Sequence, residues 1–370
     1  MPEWRATTLS QLVKLQRGHD LPTDQRRAGS VPVVGAAGPS GTHDTALVTA
    51  PGVVVGRAGG SMGKATYCDV DFWPLNTSLY VTDFLGNDPR FAYYLLTTID
   101  FSGFNSGAAQ PMLNRNYITN IPIVLPEPAE QRSIAAVLGA LEDKIAVNER
   151  IAAKVDDLCA ALFQEAVERG GAIEVELGKV ASVNAASVKP RREGRLRYID
   201  IASVGVGTVQ WPELSAWSTA PGRARRSVSS GDTIWSTVRP NRRSHALILE
   251  SAPELVASTG LAVLTPMHVG VAYLYECTRR EPFVRYLESV AEGSTYPAVR
   301  AEKFGEAMIP LLPHQERDVF ERRAFPLRQG VASAAKESRT LVALRDTLLP
   351  KLMSGQITMR QAEKTIEETL

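Results

Sequence analysis

A heptad pattern between Pro126 and Glu168 constrains the fold of this chain more than any other feature. From Ile134 onward, apolar or small residues recur at alternating spacings of four and three, which is the spacing of a coiled-coil seam. Charged residues fill the other faces, so the pattern predicts a long helix that packs one stripe against one partner helix. A surface helix packed on a globular core is the alternative. The seam positions are Ile134, Leu138, Leu141, Ile145, Asn148, Ala152, Val155, Cys159 and Leu162.

Asn148 is the polar exception in this seam, and a single Asn in a coiled coil fixes register at a cost in stability. The partner is predicted near the C-terminus, where Pro326 is expected to interrupt the helix and Pro350 to kink its last turn. Two such helices, separated by a globular segment, can pair antiparallel. The second seam contains Leu327, Val331, Ala334, Ser338, Leu341, Leu348 and Leu352, with Arg345 as a misfit.

The totals exclude several protein classes. The 370 residues and 44% hydrophobic content suffice for two domains. Because 41 basic residues nearly balance 40 acidic ones, nucleic-acid binding would have to rest on local patches. The separated cysteines Cys68, Cys159 and Cys277 argue against a disulfide framework or a zinc site. No membrane-length apolar run or signal-peptide core occurs, so no membrane contact and a cytoplasmic location are expected.

The first globular segment carries two polar loops. A short helix over Thr8 to Leu15 should precede a small mixed sheet, followed by a helix over Pro89 to Thr98. The loop GRAGGSMGK, residues 56–64, nearly matches a P-loop, but Ala58 and Ala65 replace required residues. Its Arg57 and Lys64 instead suggest contact with DNA phosphates or bases, a plain hairpin turn being the alternative. The second loop supplies the candidate base-reading residues Gln110, Asn114 and Arg115.

The second globular segment repeats the first in outline. Short strings recur in the same order, such as GAAQP at residues 107–111 and GSTYP at residues 293–297. Its loop WSTVRPNRRSH replaces the glycine loop, and clustered Arg among aromatic and amide residues indicates nucleic-acid contact. A solvated charged face is the alternative for any one of them. The DNA-binding candidates here are Arg239, Asn241, Arg242, Arg243, Tyr296 and Arg300.

Two strings carry a family resemblance. LPEPAEQRSIAAVL, residues 125–138, and RDTLLPKLMSGQI, residues 345–357, resemble the strings that open the first and close the second spacer helix in specificity (S) subunits of type I restriction-modification systems. GRAGGSMGK and FWPLNTSLYV are also typical of target-recognition domains in that family. The resemblance spans essentially the whole chain. It departs at residues 313–316, where the spacing to the Glu-Gln pair differs.

The resemblance implies an α+β fold: two globular α/β target-recognition domains separated by two long antiparallel coiled-coil helices, with a pseudo-twofold internal repeat. The implied domains are residues 1–125 and 171–312 for recognition, 126–170 for the first spacer helix, and 313–370 for the second spacer helix and C-terminal tail. Each recognition domain would read one half of a bipartite double-stranded DNA target. The helices would set the spacing and dock two modification subunits, which restriction subunits could join.

The implied subunit is not an enzyme and binds no cofactor, because S-adenosylmethionine and the catalytic loops belong to the modification subunits. In agreement, the histidines are scattered without metal-ligand spacing, and neither a nucleophile elbow nor an amino-methyltransferase string occurs. Two other classes stay open: a stand-alone DNA methyltransferase, which would bind S-adenosylmethionine by itself, and a coiled-coil scaffold that never meets DNA.

Overall fold

The computed structural model of the protein describes residues 4–107 and 111–370. The chain divides into two compact units. Unit 1 comprises Met1–Val147 and Ser338–Leu370, and unit 2 comprises Asn148–Glu337. Both boundaries fall inside long helices, so each unit contains part of each helix.

Unit 1 is built on a four-stranded sheet of order β2-β8-β5-β6, a three-stranded sheet of order β4-β3-β7, and the pair β1-β9. β5 is one of its two internal strands, and the consecutive valines of β5 are buried on both faces. The strands are β1 (Arg5–Thr8), β2 (Lys14–Arg17), β3 (Val31–Gly35), β4 (Gly38–His43), β5 (Gly52–Gly56), β6 (Ala65–Cys68), β7 (Trp73–Pro74), β8 (Ser78–Asp83) and β9 (Pro122–Leu125). The helices are α1 (Pro89–Thr98), as predicted, α2 (Arg115–Ile118), the start of α3 (Pro128–Glu168) and, described below, the end of the second long helix and a C-terminal helix.

The predicted helix over Thr8 to Leu15 is wrong. β1 ends at Thr8, a 3₁₀ turn follows, and β2 begins at Lys14. Leu9, Leu12 and Val13 are buried at helix-like spacing, which explains the misleading pattern. The backbone N–H of Leu9 donates instead to the Ile121 carbonyl at 2.9 Å, so a long-range bond replaces a helical one.

Unit 2 contains sheets of order β11-β18-β15-β16 and β13-β12-β17-β14 and the pair β10-β19. Its strands are β10 (Ile173–Glu176), β11 (Ala181–Val183), β12 (Arg195–Ile199), β13 (Leu214–Ala216), β14 (Ala224–Ser227), β15 (Thr233–Ser236), β16 (His245–Leu247), β17 (Leu255–Ser258), β18 (Leu261–Pro266) and β19 (Met308–Leu311). Its helices are the end of α3, α4 (Val271–Arg279), α5 (Glu281–Ser289), α6 (Ala301–Glu306) and the start of α7 (His314–Met353).

The two units share one strand arrangement. The sheet β2-β8-β5-β6 of unit 1 corresponds to β11-β18-β15-β16 of unit 2, with every neighbouring pair antiparallel. The parallel pair β3-β7 likewise corresponds to β12-β17. The predicted internal repeat is therefore confirmed.

The two long helices pair antiparallel within each unit. α3 has 41 residues and α7 has 40. In unit 2, the Asn148 side chain donates to the Glu337 carboxylate at 2.8 Å, while the rings of Phe163 and Phe320 pack with centroids 5.3 Å apart. In unit 1, Leu138 and Leu348 belong to the same buried core. Residues nearer the end of α3 therefore pack with residues nearer the start of α7, as antiparallel helices require.

Pro326 does not interrupt the second helix, contrary to the prediction. α7 begins at His314 and continues through Pro326. Proline removes one backbone donor, which in a regular helix serves the carbonyl four residues earlier. Pro326 and Arg322 both lie on the exposed face, where water can satisfy that carbonyl.

Unit 1 ends in a helix that the sequence pattern did not predict. α8 (Met359–Thr369) opens with a capping box in which the side chains of Thr358 and Gln361 each bind the other's backbone N–H. Ala362 of this helix is buried in the unit 1 core. Within the described residues, no helix has the length and apolar character needed to cross a membrane.

Candidate nucleic-acid interface

In unit 1, main-chain hydrogen bonds hold the β5–β6 loop against the segment that precedes α2. The N–H of Leu113 donates to the Arg57 carbonyl at 2.7 Å, and that of Gly59 donates to Pro111 at 3.0 Å. Arg57 also donates its own N–H to Thr77 at 2.9 Å. These bonds join two loops that are distant in sequence. We call this arrangement the paired-loop frame.

Unit 2 contains the same paired-loop frame at corresponding positions. The N–H of Val299 donates to the Thr237 carbonyl at 2.8 Å, and that of Arg239 donates to Pro297 at 2.7 Å. Thr237 donates its N–H to Gly260 at 3.0 Å. The matching bonds align Thr237 with Arg57 of the first frame, which extends the repeat from the strands to the loops.

The aligned frames also share backbone conformation. Gly59 and Gly63 have φ angles of 73° and 83°, in the left-handed region. Their counterparts Arg239 and Arg243 have φ angles of 52° and 55°. Glycine adopts this region freely, whereas a residue with a Cβ is strained by about 1–3 kcal/mol. Unit 2 therefore carries arginines where the backbone favours glycine.

The unit 1 frame borders an open cleft of about 710 Å³. Arg57, Asn114 and Arg115 line it, so the structure brings these predicted residues together. Asn114 also caps α2, since its side-chain oxygen accepts the Asn116 N–H at 3.0 Å. The wider lining comprises Gln16, Arg17, Gly18, His19, Asp20, Leu79, Ser106, Met112 and Leu113.

The other unit 1 candidates lie elsewhere. Lys64 is exposed and donates to the Ala37 carbonyl at 3.1 Å, outside the cleft lining. The loop that contains Lys64 leads into β6 and not into a helix, so it forms a hairpin rather than a P-loop. Gln110 lies outside the described residues.

Arg17 is a cleft residue that the sequence analysis missed. It is the last residue of β2, where it pairs with Leu79 of β8. Burial and the nearby Arg17 charge both lower the pKa of Arg57, so the two guanidinium groups repel one another across the cleft. The sequence carries no local signal for Arg17, because the cleft is assembled from segments that are distant in the chain.

In unit 2, the half-buried Arg239 stacks on the exposed Tyr296. The Arg239 guanidinium lies 4.5 Å from the centroid of the Tyr296 ring, and it also donates to the Thr295 carbonyl at 3.5 Å. Tyr296 is 66% exposed. The stack holds a forked donor and an aromatic face at the surface, the chemistry that contacts bases and phosphates.

The remaining unit 2 candidates divide into two groups. Asn241 and Arg242 are exposed in the 3₁₀ turn next to Arg239. Arg243 instead pairs with the Glu281 carboxylate, and Arg300 pairs with Glu292 at 3.0 Å. Both ion pairs are solvent-exposed, so each contributes little to stability.

Comparison with known proteins finds similarity to one family over the first part of the chain. Residues 1–157 match the family described as Type I restriction modification DNA specificity domain. The chain is 19% identical over 378 residues to the type I restriction enzyme HindI specificity subunit of Haemophilus influenzae, with 78% of this chain and 82% of that protein covered. The crystal structure of the type I restriction-modification S subunit from M. genitalium has the same fold, with a TM-score of 0.69, 18% identity, and coverage of 95% of this chain and 96% of that one. The domain match and the sequence relative agree with the resemblance of the chain to specificity subunits of type I restriction-modification systems, and the solved structure has the same fold.

Proposed function

We propose that the chain is the DNA-recognition subunit of a type I restriction-modification complex, with one half of a bipartite double-stranded target read by each unit. Residues 1–125 and 171–312 would be the target-recognition domains, and residues 126–170 and 313–370 would supply the spacer helices and tail. As a specificity subunit, the chain recognises DNA and leaves methyl transfer and cleavage to other subunits.

The repeated paired-loop frame carries this proposal. Its main-chain bonds correspond in the two units, but the side chains around it differ. In unit 1 the candidate base reader is Asn114, which lies beside Arg57 in the cleft, and in unit 2 the candidates are Arg239 and Tyr296. Amide and guanidinium groups can form paired hydrogen bonds with adenine and guanine edges. A common frame with different readers is what two different half-sites require.

The other candidates would contact the DNA backbone or flanking bases. Arg115, Asn241 and Arg242 are exposed. Arg243 and Arg300 could exchange their exposed carboxylate partners for phosphate oxygens, since such ion pairs are weak. Lys64 and Gln110 are proposed as contacts on the sequence pattern.

The long helices would set the number of unread base pairs between the half-sites. At 1.5 Å per residue, α3 alone extends about 60 Å. We propose that two modification subunits, each holding its own S-adenosylmethionine, dock on this chain, that restriction subunits join them, and that the chain itself binds no cofactor. The free, buried cysteines Cys68, Cys159 and Cys277 support a cytoplasmic location.

Mapping methylated adenines across the host genome, with and without the gene for this chain, tests the proposal. The expected result is one motif made of two short sequences separated by a fixed gap, lost when the gene is deleted. An unchanged methylation map would overturn it. Tight S-adenosylmethionine binding by the purified chain alone would favour the methyltransferase alternative. If the chain gave no salt-dependent gel shift of duplex DNA even with modification subunits present, the scaffold alternative would be favoured.

A further inference from the structure

The cleft beside the unit 1 frame concentrates positive charge. Its lining includes Arg17 from the end of β2, Arg57 from the β5–β6 loop and Arg115 from the start of α2. These residues come from three separate parts of the sequence. The fold, and not adjacency in the sequence, therefore brings them together in one cleft of about 710 Å³.

The positive charge in this cleft is poorly compensated. Among the described lining residues, Asp20 carries the one carboxylate, and that group already accepts from the Asn76 side-chain amide. Arg57 donates to neutral acceptors, the Asn76 carbonyl at 3.3 Å and the Met112 sulfur at 3.2 Å. Within residues 4–107 and 111–370, the side chains of Arg17 and Arg115 have no hydrogen bond or ion pair.

We propose that this cleft binds a phosphate group of the DNA backbone, with Arg17 and Arg57 as its principal ligands. An anion placed between the two guanidinium groups would relieve their mutual repulsion, and the planar fork of arginine matches phosphate oxygens. Such a contact positions the protein on the duplex without reading sequence. This inference rests on the proposed DNA-recognition function and adds to it a ligand for one cleft.

The cleft chemistry is particular to unit 1. The matching frame of unit 2 places Thr237 where unit 1 has Arg57, and Ala301 where it has Arg115. Unit 2 carries cations at the half-buried Arg239, which precedes the 3₁₀ turn, and at the exposed Arg242 within it. A phosphate contact that uses Arg57 therefore has no direct equivalent in the other unit.

The main test is Arg17→Ala in the full chain assembled with its modification subunits. DNA affinity is measured over a series of salt concentrations for a target duplex and an unrelated duplex. We expect affinity to fall by a similar factor for both, and the slope of log affinity against log salt to decrease by about one. The methylated motif should not change.

Arg27→Ala is the matched control, because Arg27 is an exposed arginine of the same unit, paired with Asp44 outside the cleft. It should leave affinity and salt slope near those of the wild type. Asp20→Asn provides a test of opposite sign: removing the cleft carboxylate should tighten binding to both duplexes. Arg17→Lys keeps the positive charge but loses the planar fork, so it should retain the salt slope and bind both duplexes more weakly. This variant serves as the test if Arg17→Ala lowers the melting temperature of the chain.

The outcomes separate this inference from the proposed function. If the wild-type complex binds its target, and the Arg17→Ala complex has the same DNA affinity and salt slope as the Arg27→Ala complex, the cleft assignment alone is overturned. Relaxed base preference in one half-site would also overturn it, since that result indicates base reading. A wild-type complex that binds no duplex DNA would overturn the proposed function and the cleft assignment together.

Discussion

Arg239 adopts the left-handed backbone conformation of Gly59, its counterpart in the other paired-loop frame. The strain of a non-glycine residue there persists because the frame bonds fix the backbone. Removing the Arg239 side chain should therefore not harm the fold. The residue gives a means of separating recognition from stability.

Arg239→Gly should leave the free energy of unfolding unchanged or raise it by about 1 kcal/mol, because the strain is removed while glycine gains freedom in the unfolded chain. It should relax recognition of one half-site only. Urea unfolding and methylation mapping measure the two effects. Leu85→Gly is the control, since Leu85 also has a positive φ, of 54°, and lies outside the frame. Equal relaxation of both half-sites would assign Arg239 a structural role.

The spacing role of the helices predicts the effect of a matched deletion. Removing residues 149–155 from α3 and 329–335 from α7 keeps the heptad phase. It also retains Asn148 with Glu337 and Asp156 with Arg328. The shortening of about 10 Å should reduce the unread gap by about three base pairs. Genome methylation mapping checks the gap. Altered half-sites with an unchanged gap would contradict the proposed role.

A buried ion cluster joins both long helices to α4 within unit 2. Arg328 contacts the carboxylates of Asp156 and Glu276, and the side chains of Arg328 and Glu276 are 6% and 3% exposed. Arg328→Ala would leave a buried carboxylate without this partner. We expect it to lower the free energy of unfolding by about 3–5 kcal/mol.

The double variant Arg328→Met with Glu276→Met should recover most of that loss, since it removes one charge of each sign and leaves Asp156 with Arg279. Arg169→Ala, which breaks an exposed pair with Glu165 in the same unit, should cost about 0.3–0.5 kcal/mol. Urea midpoints measure all three. A double variant as unstable as Arg328→Ala would show that shape, rather than charge, dominates the cluster.

Acid should destabilise unit 2 through His245. Its Nδ1 lies 2.6 Å from the Arg243 carbonyl, which can only accept, so Nδ1 carries the proton of the neutral ring. The buried Nε2 has no partner among the described residues, and burial lowers the pKa to about 4. Between that value and the unfolded value of about 6.5, the unfolded state binds more protons, so stability falls as pH falls through this window.

Between about pH 7 and about pH 5, His245 should remove about 2 kcal/mol from the free energy of unfolding. His245→Phe keeps an aromatic ring against Trp235, whose ring centroid lies 4.7 Å from that of His245, and should flatten the pH dependence. Replacing the exposed His314 in the same way provides the comparison. A pH dependence that survives His245→Phe would point to another group.

The sequence predicted the helices well because heptad spacing is a local signal. Asn148 does lie in the seam, and α1 has the predicted bounds. The error over Thr8 to Leu15 arose because the buried residues have helical spacing, whereas the N–H of Leu9 bonds to Ile121, more than a hundred residues away. The prediction for Pro326 was wrong because the cost of a proline within a helix depends on whether the helix face around it is exposed to water.

The candidate site was predicted less completely. Loop composition indicated Arg239 and Tyr296, but not that they stack. Arg17 was missed because a single arginine at a strand end carries no pattern, and its role depends on a cleft assembled from distant segments. Pairing of Arg243 with Glu281 likewise depends on the fold, since α5 brings the carboxylate to the loop.

The paired-loop frame has an evolutionary consequence. Peptide groups make its bonds, so mutation at the exposed positions leaves its geometry intact. New specificities can then arise by a few codon changes in either unit, and one half-site can diverge while the other is preserved. Selection for a new DNA specificity would therefore change side chains on the frame, and these changes would seldom impair folding.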